Sequence, residues 1–369
     1  MSAADLLPAA RAAGAAAGVT RLAEITRLDR FGLPVWQAVR PMSRALSVHQ
    51  GKGATVDDAR LGALLEAVES DAAERFDTDG PTCAFDALEA RSRAEQIGDF
   101  AADRDRPPEG ASEMRWIAAD RLDGGGSLFL PFDLVSLDFT RGLPSRLARS
   151  SNGLASGATR DDAVDPALHE LIERDALIEW SRSGTPFDRM SAAVDCDGIG
   201  VAWFEAWRDR LRAERISLRV HHLPTVTGSP MFVCELNDFS KHGDAYLANL
   251  GFGCHALPEI ALFRALAEAL QARVTVIAGA RDDLRPELYA QTAGASLAYA
   301  PPLPPGKTGK DFSSIAPGPV GVKAIAEALA RVGYARSAMV ELARPAGLFV
   351  ARAFVCGLGA GRRRRRAPA

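Results

Sequence analysis

The chain has 369 residues, of which 47% are hydrophobic and 25% charged, a composition typical of a globular protein. Its 44 basic and 47 acidic side chains give a formal net charge of −3, which excludes a chain built to coat nucleic acid, so we expect no nucleic-acid partner. The sequence has no run of about 18 consecutive apolar residues, so we expect no membrane partner and no spanning helix.

Hydrophobic periodicity predicts the secondary structure along the chain. Apolar residues at helical spacing predict helices at Asp57–Phe76, Asp161–Ser181, Val201–Glu214, Pro258–Ala278 and Val322–Val332. β-Branched and aromatic residues predict strands at Ser127–Leu137, Ile216–His221, Met231–Glu235 and Gly347–Val355. Glycine- and proline-rich stretches indicate loops at Ala101–Ser112, Asp123–Gly126 and Ala300–Pro319. We see no clean linker, so these elements predict one composite α/β domain of the mixed α+β kind.

The two ends of the chain have unusual compositions. The alanine-rich N-terminus carries Asp5 before Arg11 and lacks a long apolar run, so it is a poor signal peptide. Five scattered cysteines without a C-x-x-C pair fit a reducing compartment, and we expect a cytoplasmic protein. We predict a flexible segment at residues 1–17, one domain at 18–359, and a disordered basic tail at 360–369 that contains Arg362–Arg366.

An internal repeat is the strongest pattern in the sequence. Gly53–Asp71 recurs without a gap as Gly157–Asp175, with eleven of nineteen positions identical, and a weaker third copy lies at Ala261–Gln271. Thr55 and Thr159 are in position to cap the first two helices. Each copy therefore predicts a turn followed by an amphipathic helix.

Acidic residues three apart persist in these copies while their surface neighbours diverge. Such pairs are neighbours on a helix and repel each other, which a divalent cation would offset. The residues are Glu66, Glu69, Glu170, Glu173 and Glu268, with Gln271 at the sixth position. Their oxygen ligands suit Mg²⁺, whereas zinc is disfavoured because no His or Cys accompanies them at zinc spacing. We predict that the five glutamates are metal ligands around one pocket. The alternative is a solvated acidic face on each helix.

Basic and amide groups beside the repeats are candidates for contacts with phosphate and nucleobase. They are Arg44, Lys52, Asn152, Arg174, Arg264, Gln271 and Arg273. The alternative for each of the cations is an ordinary surface charge.

Four ordered motifs resemble the YcaO-domain family. They are GKGAT, SNGLASG, the acidic helix ALHELIERDA, and GFGCHALPEIALFRALAEALQAR, within a match that covers about Gly18–Asp283. The run from Gly18 to Gly53 further resembles the subgroup associated with TfuA proteins. The resemblance implies a YcaO-type composite domain, with repeated helices around a site that binds ATP and Mg²⁺ without a Walker motif.

The resemblance also implies a chemistry, the ATP-dependent modification of a peptide backbone amide. A nucleophile adds to the carbonyl, the oxyanion takes the γ-phosphoryl group, and phosphate then leaves. The nucleophile is a substrate side chain in azoline-forming members and sulfide or a similar donor in thioamide-forming members, often with TfuA as partner. The tail here is not the proline-rich end of azoline-forming enzymes, so we favour thioamide formation on a peptide or protein. The alternatives are azoline formation and a non-catalytic, nucleotide-binding accessory subunit.

Carried over to this sequence, the resemblance keeps the five glutamates as metal ligands and adds Arg281 to the nucleotide contacts. It assigns the catalytic positions to Glu173 and Arg174. His255, in the GFGCH segment, could shuttle protons; the alternative is a histidine that caps or packs. Gly62 stands where many members have serine. A homodimer is a further expectation.

Overall fold

A computed structural model describes residues 2–102, 107–142, 146–182, 192–238, 248–284 and 309–359. Within them the helices are α1 (Ala3–Ala16), α2 (Val56–Arg75), α3 (Phe132–Val135), α4 (Arg160–Arg182), α5 (Ala202–Ala213), α6 (Pro258–Ala278) and α7 (Val322–Arg331). The strands are β1 (Arg21–Glu24), β2 (Val35–Val39), β3 (Val48–Lys52), β4 (Thr82–Cys83), β5 (Met114–Arg121), β6 (Ser127–Pro131), β7 (Leu154–Gly157), β8 (Ile216–Leu223), β9 (Met231–Asp238), β10 (Asn249–Cys254), β11 (Ser337–Ala343) and β12 (Phe349–Val355).

These strands form three antiparallel sheets. Two have three strands each, in the orders β1-β2-β3 and β10-β9-β8. The third follows β4-β5-β11-β12-β7, with β6 also paired to β5. Helices α2, α4 and α6 each pack on a different sheet, through contacts with β3, β7 and β10 respectively. Each copy of the sequence repeat is therefore a strand, a turn and a helix.

Small residues bring strand and helix together in the β3–α2 and β10–α6 units. A Cβ atom built at Gly51 would overlap the backbone of Ala59 and Ala63 on α2, and one at Gly251 would overlap that of Ala265 and Ala269 on α6. Ala59, Ala63, Ala265 and Ala269 are themselves fully buried. The glycines thus let the helix backbone rest directly on the strand.

The five predicted helices are present within one residue of their predicted ends. The strand predicted at Ser127–Leu137 is wrong beyond Pro131, where the chain turns into the short helix α3. Proline has no N–H to continue a ladder, which explains why β6 ends there. The strand predicted at Gly347–Val355 begins two residues later, at Phe349, after a short 3₁₀ turn.

The prediction of a flexible segment at residues 1–17 is wrong for Ala3–Ala16. Ser2 and Asp5 form a capping box at the start of α1. Leu7, Ala10 and Ala13 are buried, and they belong to one apolar cluster with Leu64 and Val68 of α2. Alanine favours helix strongly, and the buried stripe gives this helix a packing partner.

Three predicted features fall wholly or partly outside the described residues. The tail at 360–369 lies outside them, as do parts of the loops predicted at Ala101–Ser112 and Ala300–Pro319. No helix in the described part of the chain is long and apolar enough to cross a membrane.

Candidate functional site

The glutamates of the three repeat helices lie within electrostatic range of one another. Glu170 raises the pKa of Glu66, Glu69 and Glu173, and Glu268 raises the pKa of Glu170 and Glu173. Because these residues come from α2, α4 and α6, the three helices converge on one carboxylate-rich centre. The alternative of separate solvated faces does not fit this arrangement.

The three units contact each other in a ring. Besides its own strand, α2 contacts β7, α4 contacts β10 and α6 contacts β3. Aligning the repeats places Lys52, Ser156 and Cys254 at equivalent ends of β3, β7 and β10. Each of these residues faces the second position of the pair on a neighbouring helix, which is Glu69, Glu173 or Gln271, so the ring is approximately threefold.

The three contacts of the ring differ in chemistry. The Ser156 hydroxyl donates a hydrogen bond of 2.7 Å to Glu69. Cys254 lies close enough to Glu173 for that carboxylate to raise the pKa of its thiol. Lys52 instead donates to Gln271 at 2.9 Å and to Glu268 at 3.1 Å. One corner of the ring thus holds a lysine paired with a glutamate, and each of the other two holds a carboxyl group beside a hydroxyl or a thiol.

Burial and mutual repulsion keep these carboxyl groups from ionising in the usual range. Burial, with a hydroxyl donor opposing it, raises the pKa of Glu69 to about 8. Burial and the neighbouring Glu268 raise the pKa of Glu173 to about 8. Burial also raises the pKa of Glu66 and Glu170, although each accepts a backbone N–H, from Gln50 at 2.5 Å and from Gly153 at 3.0 Å. Without a cation, the site favours protonated carboxyls.

These residues fit Mg²⁺ bound together with phosphate. Within the described residues no three acidic, His or Cys side chains are close enough to hold one ion. Mg²⁺ is commonly held by one or two carboxylates, with waters and phosphate oxygens completing its shell. Each pair of neighbouring glutamates could supply these one or two carboxylates, and the bound ion would offset the repulsion between them. Their assignment as metal ligands stays a prediction.

Arg174 and Arg281 are the other predicted cations at the centre. The Arg174 guanidinium lies 3.6 Å from both Glu170 and Glu173, a distance that leaves it available to a closer anion. Arg281 is paired with Asp283 at 2.6 Å, and its charge partly opposes the burial that raises the pKa of Glu66. Both cations therefore stand beside the carboxylates, and their contacts with a nucleotide stay a prediction.

Two further predicted contacts line cavities at this centre. Arg44, held by Asp138 at 2.7 Å, lines cavity 1 of about 510 Å³, together with Glu66, Glu69 and Glu170. Asn152 and Arg174 line cavity 2, which has a volume of about 630 Å³. Cavities of these volumes are in the usual range for small-molecule sites.

Arg273 and Arg264, two further predicted nucleotide contacts, make their interactions with other parts of the protein. Arg273 pairs with Asp29 and Asp238, each at 2.8 Å, and only 13% of its side chain is exposed. Arg264 donates to the carbonyl of Cys254 at 3.2 Å. Their hydrogen bonds and ion pairs are made with the protein rather than with the carboxylate centre, so this arrangement does not support a nucleotide contact for either.

His255 adopts the capping arrangement rather than an open one. Its Nδ1 accepts the Leu257 N–H at 3.0 Å, and its ring stacks on His169 at 5.4 Å between centroids. Burial, with Arg264 nearby, lowers the pKa of His255 to about 4. The ring is neutral near pH 7, so a proton-shuttle role gains no support from this geometry.

Sequence reasoning missed several groups at the site. The donors Gln50 and Gly153 act through backbone N–H groups, which no side-chain pattern reports. Ser156 could have been found, because the repeat aligns it with Lys52. Gly62 of α2 lies against Gly51 of β3.

A family model described as YcaO cyclodehydratase, ATP- and Mg²⁺-binding, matches residues 50–359. The chain belongs to the YcaO family. The predicted resemblance is thereby confirmed, as are ATP and Mg²⁺ as the cofactors in the description of the family. The YcaO family consists of ATP-binding, peptide-modifying proteins.

Two curated relatives extend the YcaO match. A protein of Rhizobium leguminosarum bv. trifolii, described as an uncharacterized protein in the tfuA 3' region, is 36% identical over 279 residues, covering 74% of this chain and 66% of the relative. An uncharacterized protein of Methanothermobacter thermautotrophicus is 35% identical over 285 residues, covering 75% of this chain and 71% of the relative. The chain thus spans about two thirds of the length of these relatives.

Solved structures share the YcaO fold. A heterocyclase in complex with substrate and cofactor has a TM-score of 0.75 at 22% identity, covering 92% of this chain and 50% of that one. YcaO from Methanopyrus kandleri, bound with AMPPCP and Mg²⁺, has a TM-score of 0.69 at 21% identity, covering 97% of this chain and 91% of that one. These likenesses confirm the predicted mixed α+β fold class.

Proposed function

We propose that this protein uses ATP and Mg²⁺ to activate a peptide backbone amide, and that the product is a thioamide. The observation that carries the proposal is the convergence of five glutamates from three helices beside Lys52 and Arg174. Few functions need so many buried carboxylates at one point. Binding a polyphosphate through Mg²⁺ is one of them.

Because the three corners of the ring differ, we assign metal binding to two of them and direct nucleotide contact to the third. The two carboxyl corners, around Glu69 and Glu173, would hold Mg²⁺, which supplies charge neutralisation for the phosphates. The lysine corner, where Lys52 meets Glu268 and Gln271, would contact the nucleotide directly. Arg174 would move from its 3.6 Å contacts to the transferring phosphoryl group. Phosphoryl transfer depends mainly on such positioning and charge neutralisation.

The proposed reaction balances as an exchange of oxygen for sulfur. Sulfide, or an equivalent donor, forms a C–S bond to the amide carbonyl carbon, and the resulting oxyanion attacks the γ-phosphorus of ATP as ADP departs. The C–O bond then breaks, phosphate leaves with the former carbonyl oxygen, and loss of a proton gives the thioamide. The step needs ATP because oxide is a poor leaving group and phosphate a good one.

Support for thioamide formation comes from the Rhizobium relative, which is named for its place beside tfuA. We therefore propose a TfuA-like protein as partner, a peptide or protein as substrate, and a sulfide-type donor. The word cyclodehydratase in the family description favours the second candidate, azoline formation on a ribosomal peptide.

Phosphate release and product mass test the proposal together. The protein, the TfuA-like protein encoded nearest to it, sulfide, Mg·ATP and the candidate peptide are incubated, and both phosphate and peptide mass are measured. We expect phosphate release that requires the peptide, and a mass gain corresponding to replacement of oxygen by sulfur. Loss of one water would instead establish azoline formation. Peptide binding without phosphate release would identify an accessory subunit and contradict the proposal.

A further inference from the structure

Cavity 2 has a strongly basic and partly apolar lining. Its four arginines face a single carboxylate among the described lining residues, Asp99. The arginines are Arg149, Arg174, Arg182 and Arg352. Apolar side chains from α4 and β12, such as Leu171, Ile178 and Phe354, form much of the remaining wall. A ligand that fits this cavity would combine negative charge with apolar groups.

Arg352 is the most unusual of these arginines. Its side chain is 1% exposed, and it donates hydrogen bonds to the carbonyls of Val135 and Ser150. Its Nε has no hydrogen-bond partner among the described residues. A buried cation with an unused donor is costly unless something compensates for it. An anion in the cavity would offset part of that cost.

Cavity 2 adjoins the proposed reaction centre. Arg174 lines the cavity and also lies 3.6 Å from Glu170 and Glu173, and Asn152 lines it one residue from Gly153, whose N–H binds Glu170. Glu170 in turn lines cavity 1, so helix α4 contributes side chains to both cavities. A ligand in cavity 2 would therefore lie beside the carboxylate centre.

We propose that cavity 2 binds an acidic segment of the peptide substrate, next to the amide that reacts. The inference rests on the proposed function, and it adds the class of peptide. Aspartate or glutamate side chains would pair with Arg149, Arg182 and Arg352, which leaves Arg174 to the phosphoryl group, while neighbouring aliphatic residues would lie on Leu171, Ile178 and Phe354. Planar guanidinium groups bind carboxylates in a bidentate geometry, which suits arginine rather than lysine here.

Peptide binding is the direct test. Fluorescein-labelled peptides in which leucine alternates with aspartate, asparagine or lysine are titrated with the full chain, and anisotropy gives each Kd. We expect the aspartate peptide to bind about tenfold more tightly than the asparagine peptide, and this ratio to fall in high salt. Equal Kd values for the aspartate and asparagine peptides would overturn the inference.

Matched variants locate the effect. Arg182→Glu reverses a half-exposed charge in the cavity and should weaken binding of the aspartate peptide about fivefold or more. Arg331→Glu makes the same change on exposed α7, outside the lining, and should leave that Kd within about twofold. The sequence runs from Gly359, a lining residue, into Arg362–Arg366, so both titrations are repeated with these five arginines changed to serine. Loss of the aspartate preference in that form would assign it to the tail and contradict the cavity site.

Two further measurements distinguish a failure of the cavity inference from a failure of the proposed function. Inorganic phosphate and pyrophosphate are added as competitors, and displacement of the peptide at low competitor concentration would indicate a simple anion site instead. Mg·ATP binding is measured on every variant, because Arg182→Glu should leave it unchanged. If Mg·ATP fails to bind the wild-type chain, the proposed function itself is wrong; if it binds and the peptides show no charge preference, only this inference is wrong.

Discussion

Glu173 lies among more charged groups than an ordinary helix glutamate. Burial raises its pKa most, and Glu268 and Glu170 raise it further, whereas Arg174 and Lys52 lower it. The result is a pKa of about 8, so the ligand-free site holds this carboxyl largely protonated near pH 7. A group of this kind is poised to exchange a proton for a cation.

Glu173→Gln should abolish ATP turnover while the protein stays folded. The amide keeps the volume and removes one ligand charge, and we expect a loss of at least about 100-fold, since even indirect ligand contacts are worth about 10–100-fold. Steady-state phosphate release measures the effect. Glu179→Gln, on the half-exposed end of the same helix, is the control and should retain activity. Near-normal turnover in Glu173→Gln would contradict the site.

The raised carboxyl pKa values also predict a proton release on binding. Glu69 and Glu173 have folded-state pKa values of about 8, above the ordinary value of 4.5, and Mg²⁺ requires the ionised form. Binding of Mg·ATP should therefore strengthen as pH rises towards 8, with protons released at pH 7. Calorimetry in two buffers of different ionisation enthalpy measures the release, and it should shrink in Glu173→Gln.

The raised pKa values affect the stability of the ligand-free protein in the opposite direction: stability should fall as pH rises, whereas Mg·ATP binding should strengthen. A carboxyl whose pKa is higher in the folded protein favours folding while it is protonated. The free energy of unfolding should thus fall as pH rises from about 4.5 to about 8. Glu173→Gln serves as the reference for the pH dependence of all other groups. If the free energy of unfolding of the ligand-free wild type rises through this window relative to that variant, the assignment is contradicted.

At the scale of elements, the repeated unit is a strand whose glycines let a helix lie directly on it. Gly51→Ala places a methyl group against the backbone of Ala59 and Ala63, where rigid atoms cannot move aside. Overpacking of this kind costs about 1–3 kcal/mol. We expect that loss of stability, together with weaker Mg·ATP binding because Glu66 and Glu69 shift with α2.

Chemical denaturation and nucleotide titration check the prediction for Gly51→Ala. Gly142→Ala is the matched control, since an added Cβ there meets nothing within 4 Å and Gly142 has no left-handed backbone angle. A Gly51→Ala protein as stable as Gly142→Ala would mean that strand and helix do not depend on this contact.

Across the whole molecule, helix periodicity predicted the elements that carry the site, while most strands escaped prediction. Strands β3, β7 and β10 are short, contain glycine and are followed at once by a helix, so alternation has little length in which to appear. Helix α1 was missed because an alanine-rich sequence shows little contrast between its faces, and only packing on α2 reveals which face is buried.

The candidate site was also predicted only in part. The repeat placed Glu66, Glu170 and Glu268 at equivalent positions, and the structure brings them together. The ion pairs of Arg273 with Asp29 and Asp238 could not be predicted, because its distance along the chain from Gln271 does not report these two side chains. Ion pairs between distant segments are decided by the fold, which one sequence does not reveal.

A crystal structure of the protein with Mg²⁺ and a non-hydrolysable ATP analogue tests the central claim most directly. The account predicts metal ions at about 2.0–2.1 Å from carboxylate oxygens contributed by α2, α4 and α6, with phosphate oxygens in the same coordination shells. Lys52 and Arg174 should contact the nucleotide. Ions coordinated by one helix alone, or a nucleotide bound away from these carboxylates, would contradict it.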